Sequence, residues 1–127
     1  MEVVPLFEVD GRLAKPNLHD GEIIGIDFNS KNASCVFTIR CTDGAYQLLC
    51  SGVSSLVFGS DLMQNVIYDI YIIEREFTSN AKVVARACEL LTPFGFQKNG
   101  PKLAYIMPAA GAEAVIVAAA ITVSKRI

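Results

Sequence analysis

Apolar and polar positions alternate with a period of two in three consecutive segments, residues 22–28, 34–41 and 45–51. This alternation is typical of β-strands with one buried face. Asn29–Asn32 supplies turn-forming residues between the first two segments. Asp43-Gly44, a strong hairpin signal, lies between the second and third. We therefore predict a three-stranded antiparallel meander.

Two-residue loops at Ser30-Lys31 and Asp43-Gly44, placed independently, put the alternating apolar residues on one face of the sheet. A slip of one residue would scatter them over both faces. The predicted dry face includes Phe28, Phe37, Ile39, Tyr46 and Leu48. The predicted cross-strand pairs are Cys41 with Tyr46, Ile39 with Leu48, Phe37 with Cys50, Phe28 with Ala33, Ile26 with Cys35, and Ile24 with Phe37.

Two further strands continue the meander to residue 73. The first covers Val53–Phe58, and the second, 66–73, is rich in β-branched and aromatic residues. Residues 61–65 between them are typical of a turn or one short helical turn. Near the N-terminus, Leu6–Val9 predicts a short strand that ends at the turn signal Asp10-Gly11.

The last third of the chain predicts one helix and a β-hairpin. Apolar residues at helical spacing over 80–91 follow the N-cap candidates Ser79-Asn80. A strand over 103–107 and a turn at Pro108–Gly111 precede 113–124, which is apolar on both sides. Alanines favour a helix in 113–124, but its β-branched residues favour a strand buried on both faces, and we predict that strand.

The predicted fold class is α+β, mainly antiparallel β. It comprises an N-terminal meander (22–73), an amphipathic helix (80–91) and a C-terminal β-hairpin (103–124). The chain of 127 residues is long enough for one core, and we expect a single domain over 1–127.

The composition indicates that a partner covers part of the apolar surface. Hydrophobic residues make up 52% of the chain and charged residues only 19%, so we expect a partner, most simply a second copy, to cover apolar surface. The net charge is −2, and Lys125-Arg126 is the one basic cluster, so we expect neither nucleic acid nor membrane as a partner. The longest apolar run, 114–123, is too short to span a bilayer.

The four cysteines show no metal-binding spacing, and there is a single histidine. No secretory signal precedes the first strand, so we expect a cytoplasmic protein with reduced cysteines. A bridge between Cys41 and Cys50 is the alternative, since a hairpin brings them near each other. No phosphate loop or dinucleotide motif occurs, and we predict no cofactor and no metal.

The most polar cluster near the meander is the candidate ligand site: His19, Asp20, Glu22, Cys41 and Tyr46. Extending the predicted register places Glu22 beside Ile39, and Asp20 beside Cys41, on the apolar face. A carboxylate there has its pKa raised by desolvation, which makes it an acid–base candidate. The alternative places Asp20 in the turn before the strand, with His19 outside. We predict no catalytic residue, since no activated nucleophile beside His19 is evident.

The Leu-His-Asp tripeptide at 18–20 is followed by the alternating strand over 22–28, a second strand, and Gly52-Val53 before Leu56 and Phe58. This arrangement over 18–73 resembles a group of small bacterial β-rich proteins with a Leu-His-Asp motif. Some of them are immunity proteins of polymorphic toxin systems. The resemblance implies a bacterial cytoplasmic binding protein without catalysis.

Three functions therefore remain open. The first, which we favour, is a non-catalytic binding or inhibitor module, immunity-like, that binds a protein partner or itself. The second is a small enzyme or small-ligand binder that uses the cluster around Asp20. The third is a structural homo-oligomer subunit whose interface is formed by the tyrosine-rich strand 66–73 and the C-terminal strand 113–124.

Overall fold

A computed structural model describes residues 2–59, 64–74, 80–91, 102–111 and 113–126. These residues form one helix and eleven strands. The elements are β1 (Glu2–Val3), β2 (Leu6–Phe7), β3 (Leu13–Lys15), β4 (Glu22–Asn29), β5 (Ser34–Cys41), β6 (Gly44–Ser51), β7 (Ser55–Gly59), β8 (Val66–Glu74), α1 (Ala81–Leu91), β9 (Lys102–Ala110), β10 (Glu113–Ala118) and β11 (Ala120–Lys125).

The hairpin of β5 and β6 has the predicted buried face, but its register differs from the prediction by two residues. Phe37 pairs with Leu48 instead of Cys50. The loop is Thr42-Asp43, and the positive φ of the turn falls on Gly44, the first residue of β6. A shift of two residues preserves the alternation of faces. The buried residues of the two strands accordingly include Cys35, Phe37, Ile39, Tyr46, Leu48 and Cys50.

The pairing of β4 with β5 is also two residues from the prediction at the hairpin end. Ile26 pairs with Phe37 and Phe28 with Cys35, because the loop comprises the four residues 30–33. Phe28 shares a sheet face with Cys35, yet it is 59% exposed. The prediction that Phe28 is buried is wrong, because the core does not extend to the end of β4.

A β-bulge between Ile23 and Gly25 reverses the alternation in β4. Ile23 pairs with Ile39 and is buried in the core, whereas Ile24, predicted on the dry face, is half exposed. One extra residue in a strand reverses the alternation beyond it. Ile23 before the bulge and Ile26 after it therefore both face the core, although they are three residues apart.

The nine-stranded sheet has the order β1-β11-β6-β5-β4-β8-β9-β10-β7, and all its described pairs are antiparallel. Strands β7 and β8 confirm those predicted at 53–58 and 66–73. However, β7 pairs with β10 instead of extending the meander, and β8 meets β4 at one pair, Glu22 with Val66. Of the turn predicted at 61–65, residues 61–63 lie outside the described residues.

The turn predicted at Pro108–Gly111 is wrong in position, since β9 continues to Ala110. Pro108 lies opposite Ile67, with a register irregularity on each side of this pair. Irregular pairing accommodates a residue that has no N–H to donate to the neighbouring strand. The hairpin from β9 to β10 therefore turns later than its sequence indicates.

The long C-terminal element is two strands, not one. It breaks at Ala119, whose N–H donates to Ser51 O (3.0 Å) and to Gly52 O (3.1 Å). Strand β10 joins β9 and β7, whereas β11 joins β6 and β1. Two strands joined by a single residue thus lie far apart in the strand order. The sheet must therefore curl so that its two halves face each other.

The main core lies between these halves and contains side chains from both, with Phe37 and Ile116 among those fully buried. A second core lies between α1 and the outer face of β8, β9 and β10. Because β10 separates the two cores, Ile116 faces one and Val115 the other. Burial on both faces, as predicted for this segment, is confirmed for β10.

The helix predicted over 80–91 is confirmed. Asn80 caps it by accepting a hydrogen bond from Val83 N at 3.2 Å. Arg86 donates to both carboxylate oxygens of Glu113 on β10, at 3.0 and 2.7 Å, and thereby lowers the pKa of Glu113. Tyr105 donates to the same carboxylate, which ties α1 to the sheet. No helix in the described part of the chain has the length and apolar character to cross a membrane.

Candidate functional site

The Leu-His-Asp tripeptide forms a clasp between the start of β4 and strand β8. Leu18 is buried in the main core. His19 Nδ1 lies 2.5 Å from Tyr68 O, and its ring meets the Tyr68 ring edge-on at a centroid distance of 5.1 Å. Asp20 N donates to Ile67 O at 2.8 Å. His19 and Asp20 therefore join this turn to β8, and Leu18 anchors the tripeptide in the core.

Asp20 lies in the turn before β4, as the alternative interpretation placed it, and not on the apolar face. Its φ is 65°, in the left-handed region, where Asp is among the more tolerant residues. The side chain is 76% exposed, and one carboxylate oxygen lies 3.5 Å from His19 Nε2. The carboxylate is thus presented to solvent beside the imidazole.

Four of the five predicted site residues line one open cleft of about 480 Å³. His19 and Asp20 come from the turn before β4, and Cys41 and Tyr46 come from the β5–β6 hairpin. The sequence prediction missed the remaining polar residues, because no pattern indicates that residues 15–17 lie beside this hairpin or that its turn borders a cleft. The lining comprises Lys15, Pro16, Asn17, His19, Asp20, Gly21, Cys41, Thr42, Asp43 and Tyr46.

Glu22, the fifth predicted residue, does not line this cleft. It pairs with Arg40 of β5, and the two side chains form a salt bridge. The prediction had placed Glu22 beside Ile39, but the bulge after Ile23 gives that position to Ile23. Glu22 therefore belongs to a surface ion pair.

Hydrogen bonding and charge hold the β5–β6 side of the cleft together. Tyr46 donates to Asp43 Oδ2 at 2.7 Å, and Lys125 Nζ lies 3.7 Å from the same oxygen. The bond to Asp43, with some burial, raises the pKa of Tyr46 to about 12. The bond from Tyr46 and the charge of Lys125 lower the pKa of Asp43. The pair is thus a phenol and a carboxylate at neutral pH.

The Cys41 thiol is not activated as a nucleophile. Burial and the nearby charge of Asp43 raise its pKa, which favours the protonated form. The cleft therefore offers hydrogen-bond donors, acceptors and fixed charges to a ligand. In the described ranges, no group of three or more His, Cys, Asp or Glu side chains could hold a metal ion.

None of the four cysteines, which all lie in the described ranges, forms a disulfide. Cys35 and Cys50 pair across β5 and β6 inside the core, and burial raises the pKa of Cys50 to about 12. The structure does not contain the alternative bridge between Cys41 and Cys50, because the hairpin register places Cys35 opposite Cys50.

A second surface, which is apolar whereas the cleft is polar, surrounds the hairpin of β2 and β3. Four large apolar side chains are between 43% and 95% exposed there. Beside them, a groove of about 550 Å³ runs between this segment and strands β8, β9 and β11, lined in part by Phe7, Ile72 and Ile121. We call the four exposed side chains the N-terminal apolar surface. They are Val4, Leu6, Phe7 and Val9.

The predicted strand at Leu6–Val9 did not reveal this surface, because a strand prediction does not say whether other parts of the chain bury its side chains. Leu6 and Phe7 pair with β3, and Gly11 N donates to Glu8 O at 3.0 Å in the predicted turn. Val9, at the tip, is 95% exposed. Large exposed apolar clusters mark interaction sites more often than single exposed residues do.

Comparisons with family models, with curated proteins and with solved structures find no match to this chain. The function must therefore be argued from the two surfaces themselves.

Proposed function

We propose that this protein is a non-catalytic binding module that recognises a partner protein through the N-terminal apolar surface. The observation that carries the proposal is the exposure of Val4, Leu6, Phe7 and Val9 within six residues, next to an apolar groove. Exposure of apolar side chains is unfavourable in water, and free energy is gained when a partner covers them.

Charge restricts the kind of partner. Glu8 and Asp10 flank Val9 at the tip of the hairpin, and Glu74 borders the groove. Arg12 and Lys102 pair with Glu8 and Glu74 at 3.2 and 3.9 Å, so these two cations offset only two of the three carboxylates and the region stays negative. We infer a partner with an apolar pocket for Val9 and Lys or Arg around it, because complementary charge favours association. The same carboxylates disfavour an anionic membrane surface.

The resemblance at residues 18–20 is consistent with this class of function, since it implies an immunity-like binding protein. The clasp formed by the tripeptide itself serves the fold. Recognition of a toxin or another protein would then fall to the exposed hairpin, which lies outside the 18–73 region of the resemblance.

Site-specific photo-crosslinking in the native cells tests the proposal. A benzophenone amino acid placed at Phe7 should give one discrete covalent adduct with a partner protein. The matched control is the same amino acid at Phe28, an exposed phenylalanine on the β4–β5 hairpin, which should not give that adduct. The purified partner should bind the wild-type chain and lose roughly tenfold in affinity for Val9→Ser.

Identical adducts at Phe7 and Phe28 would contradict the proposal, because they would reflect random collision. Absence of any adduct at Phe7, or equal affinity of the partner for Val9→Ser and the wild-type protein, would contradict it as well.

The convergence of His19, Asp20, Cys41 and Tyr46 favours a second candidate function, binding of a small polar ligand in the cleft. The exposed Lys15 makes no ion pair with any described residue and offers a cation on the cleft wall. Asp20 and Asp43 offer carboxylates. A small zwitterion, such as a free amino acid, matches charges of both signs in one cleft.

Titration of the ¹⁵N-labelled protein with a panel of free amino acids tests this second candidate. We expect saturable chemical-shift changes confined to the cleft, and a several-fold weaker affinity for Lys15→Ala and for Asp20→Asn. Lys31→Ala, on the exposed β4–β5 loop, is the control and should leave binding unchanged. Shifts that fail to saturate, or that persist unaltered in Lys15→Ala, would reject the cleft as this site.

A further inference from the structure

The two edges of the large sheet differ in how they are protected. One edge is β1, which has two residues, carries Glu2 and is followed closely by Pro5. Short length, charge and proline are the usual devices that prevent an edge strand from pairing with another molecule. The other edge is β7, with the five residues Ser-Leu-Val-Phe-Gly and neither charge nor proline.

Both faces of strand β7 pack against the rest of the chain, and one of its two backbone edges is paired with a neighbouring strand. Phe58 packs against Phe37 in the main core, with ring centroids 6.1 Å apart, and Val57 packs in the second core. Its inner backbone side pairs with β10 from Ser55 to Gly59. In the ranges that the structure describes, no strand pairs with the outer side of β7.

The sequence of β7 is complementary to itself. In an antiparallel pair centred on Val57, that residue lies opposite its own copy, Leu56 lies opposite Phe58, and Ser55 lies opposite Gly59. Apolar cross-strand pairs of this kind stabilise antiparallel sheets, and no like charges oppose each other. The formal net charge of −2 per chain adds little repulsion between two copies.

We propose that β7 pairs with β7 of a second copy about a two-fold axis at Val57, which joins the sheets of two chains into one. This dimer interface differs from the predicted one: much of the tyrosine-rich strand and the C-terminal strand is buried within the chain. It is also independent of the function proposed above, because no residue of the N-terminal apolar surface or of the groove beside it belongs to β7.

Sedimentation of the wild-type protein and disulfide trapping together test the proposal. The wild-type chain should sediment at twice the chain mass as its concentration rises from the micromolar range. Val57→Cys should form an intermolecular disulfide, because directly opposed residues have Cα atoms about 5 Å apart. Leu56→Cys is the matched control, since its two copies would lie roughly 8 Å apart, beyond disulfide reach.

A wild-type protein that stays monomeric up to near-millimolar concentration overturns the proposal, and this measurement needs no variant to fold. Equal cross-linking of Leu56→Cys and Val57→Cys overturns the register. The unmodified protein, with its four native thiols, supplies the background and should give no disulfide dimer.

Discussion

Replacing Phe37 with alanine should lower the free energy of unfolding by about 4 kcal/mol, the largest effect we expect from a single truncation here. Phe37 is fully buried at the centre of the meander and meets the Phe58 ring from the opposite half of the sheet edge-on. The substitution leaves a cavity between the halves and removes an aromatic contact. Urea denaturation followed by circular dichroism measures the change.

Phe28→Ala is the matched control, because it removes the same side chain from a strand of the same meander. Phe28 is 59% exposed, and the free energy of unfolding should change by no more than about 0.5 kcal/mol. Similar losses for Phe28→Ala and Phe37→Ala would mean that the core extends to the β4–β5 loop, contrary to the burial described here.

Gly21→Ala should lower the free energy of unfolding by about 3 kcal/mol, although it adds one methyl group. A Cβ at this position would lie 2.8 Å from Ile39 Cγ2, 2.9 Å from Leu18 O and 3.0 Å from Cys41 Sγ. The carbonyl oxygen belongs to the clasp and cannot move away as a flexible side chain would. The same urea titration detects the loss.

Gly25→Ala supplies the comparison for Gly21→Ala. A Cβ on Gly25 would meet nothing within 4 Å, and its φ is not positive, so the chain should tolerate alanine or become slightly more stable. A Gly21→Ala protein as stable as Gly25→Ala would show that the turn at Gly21 is not packed as closely as these distances require.

Four of the five predicted site residues lie together in one cleft, but Asp20 is oriented differently from the prediction. Four of the five residues line the cleft because the alternation places Cys41 and Tyr46 on one face and the turn at 19–21 at its end. The predicted placement of Glu22 was wrong because of the bulge in β4. A bulge depends on how β4 fits both β5 and β8, which the sequence of β4 does not encode by itself. The N-terminal apolar surface was missed because exposure depends on what lies opposite a strand.

The sequence by itself determined where most strands and the helix lie, and which face of β5 and β6 is dry. Such properties follow from local periodicity: a period of two marks a strand, and a register error of two residues leaves every side chain on its own face. The confirmed burial of Phe37 and Leu48 despite the shifted register illustrates this point.

Only the tertiary structure decided which strands are neighbours and where the chain changes direction between them. The break at Ala119 sends β10 and β11 to opposite halves of the sheet, and β7 leaves the meander to pair with β10. Pairings of this kind depend on contacts between residues more than forty positions apart. Their free energy comes from packing across the whole core, so no local pattern can predict them.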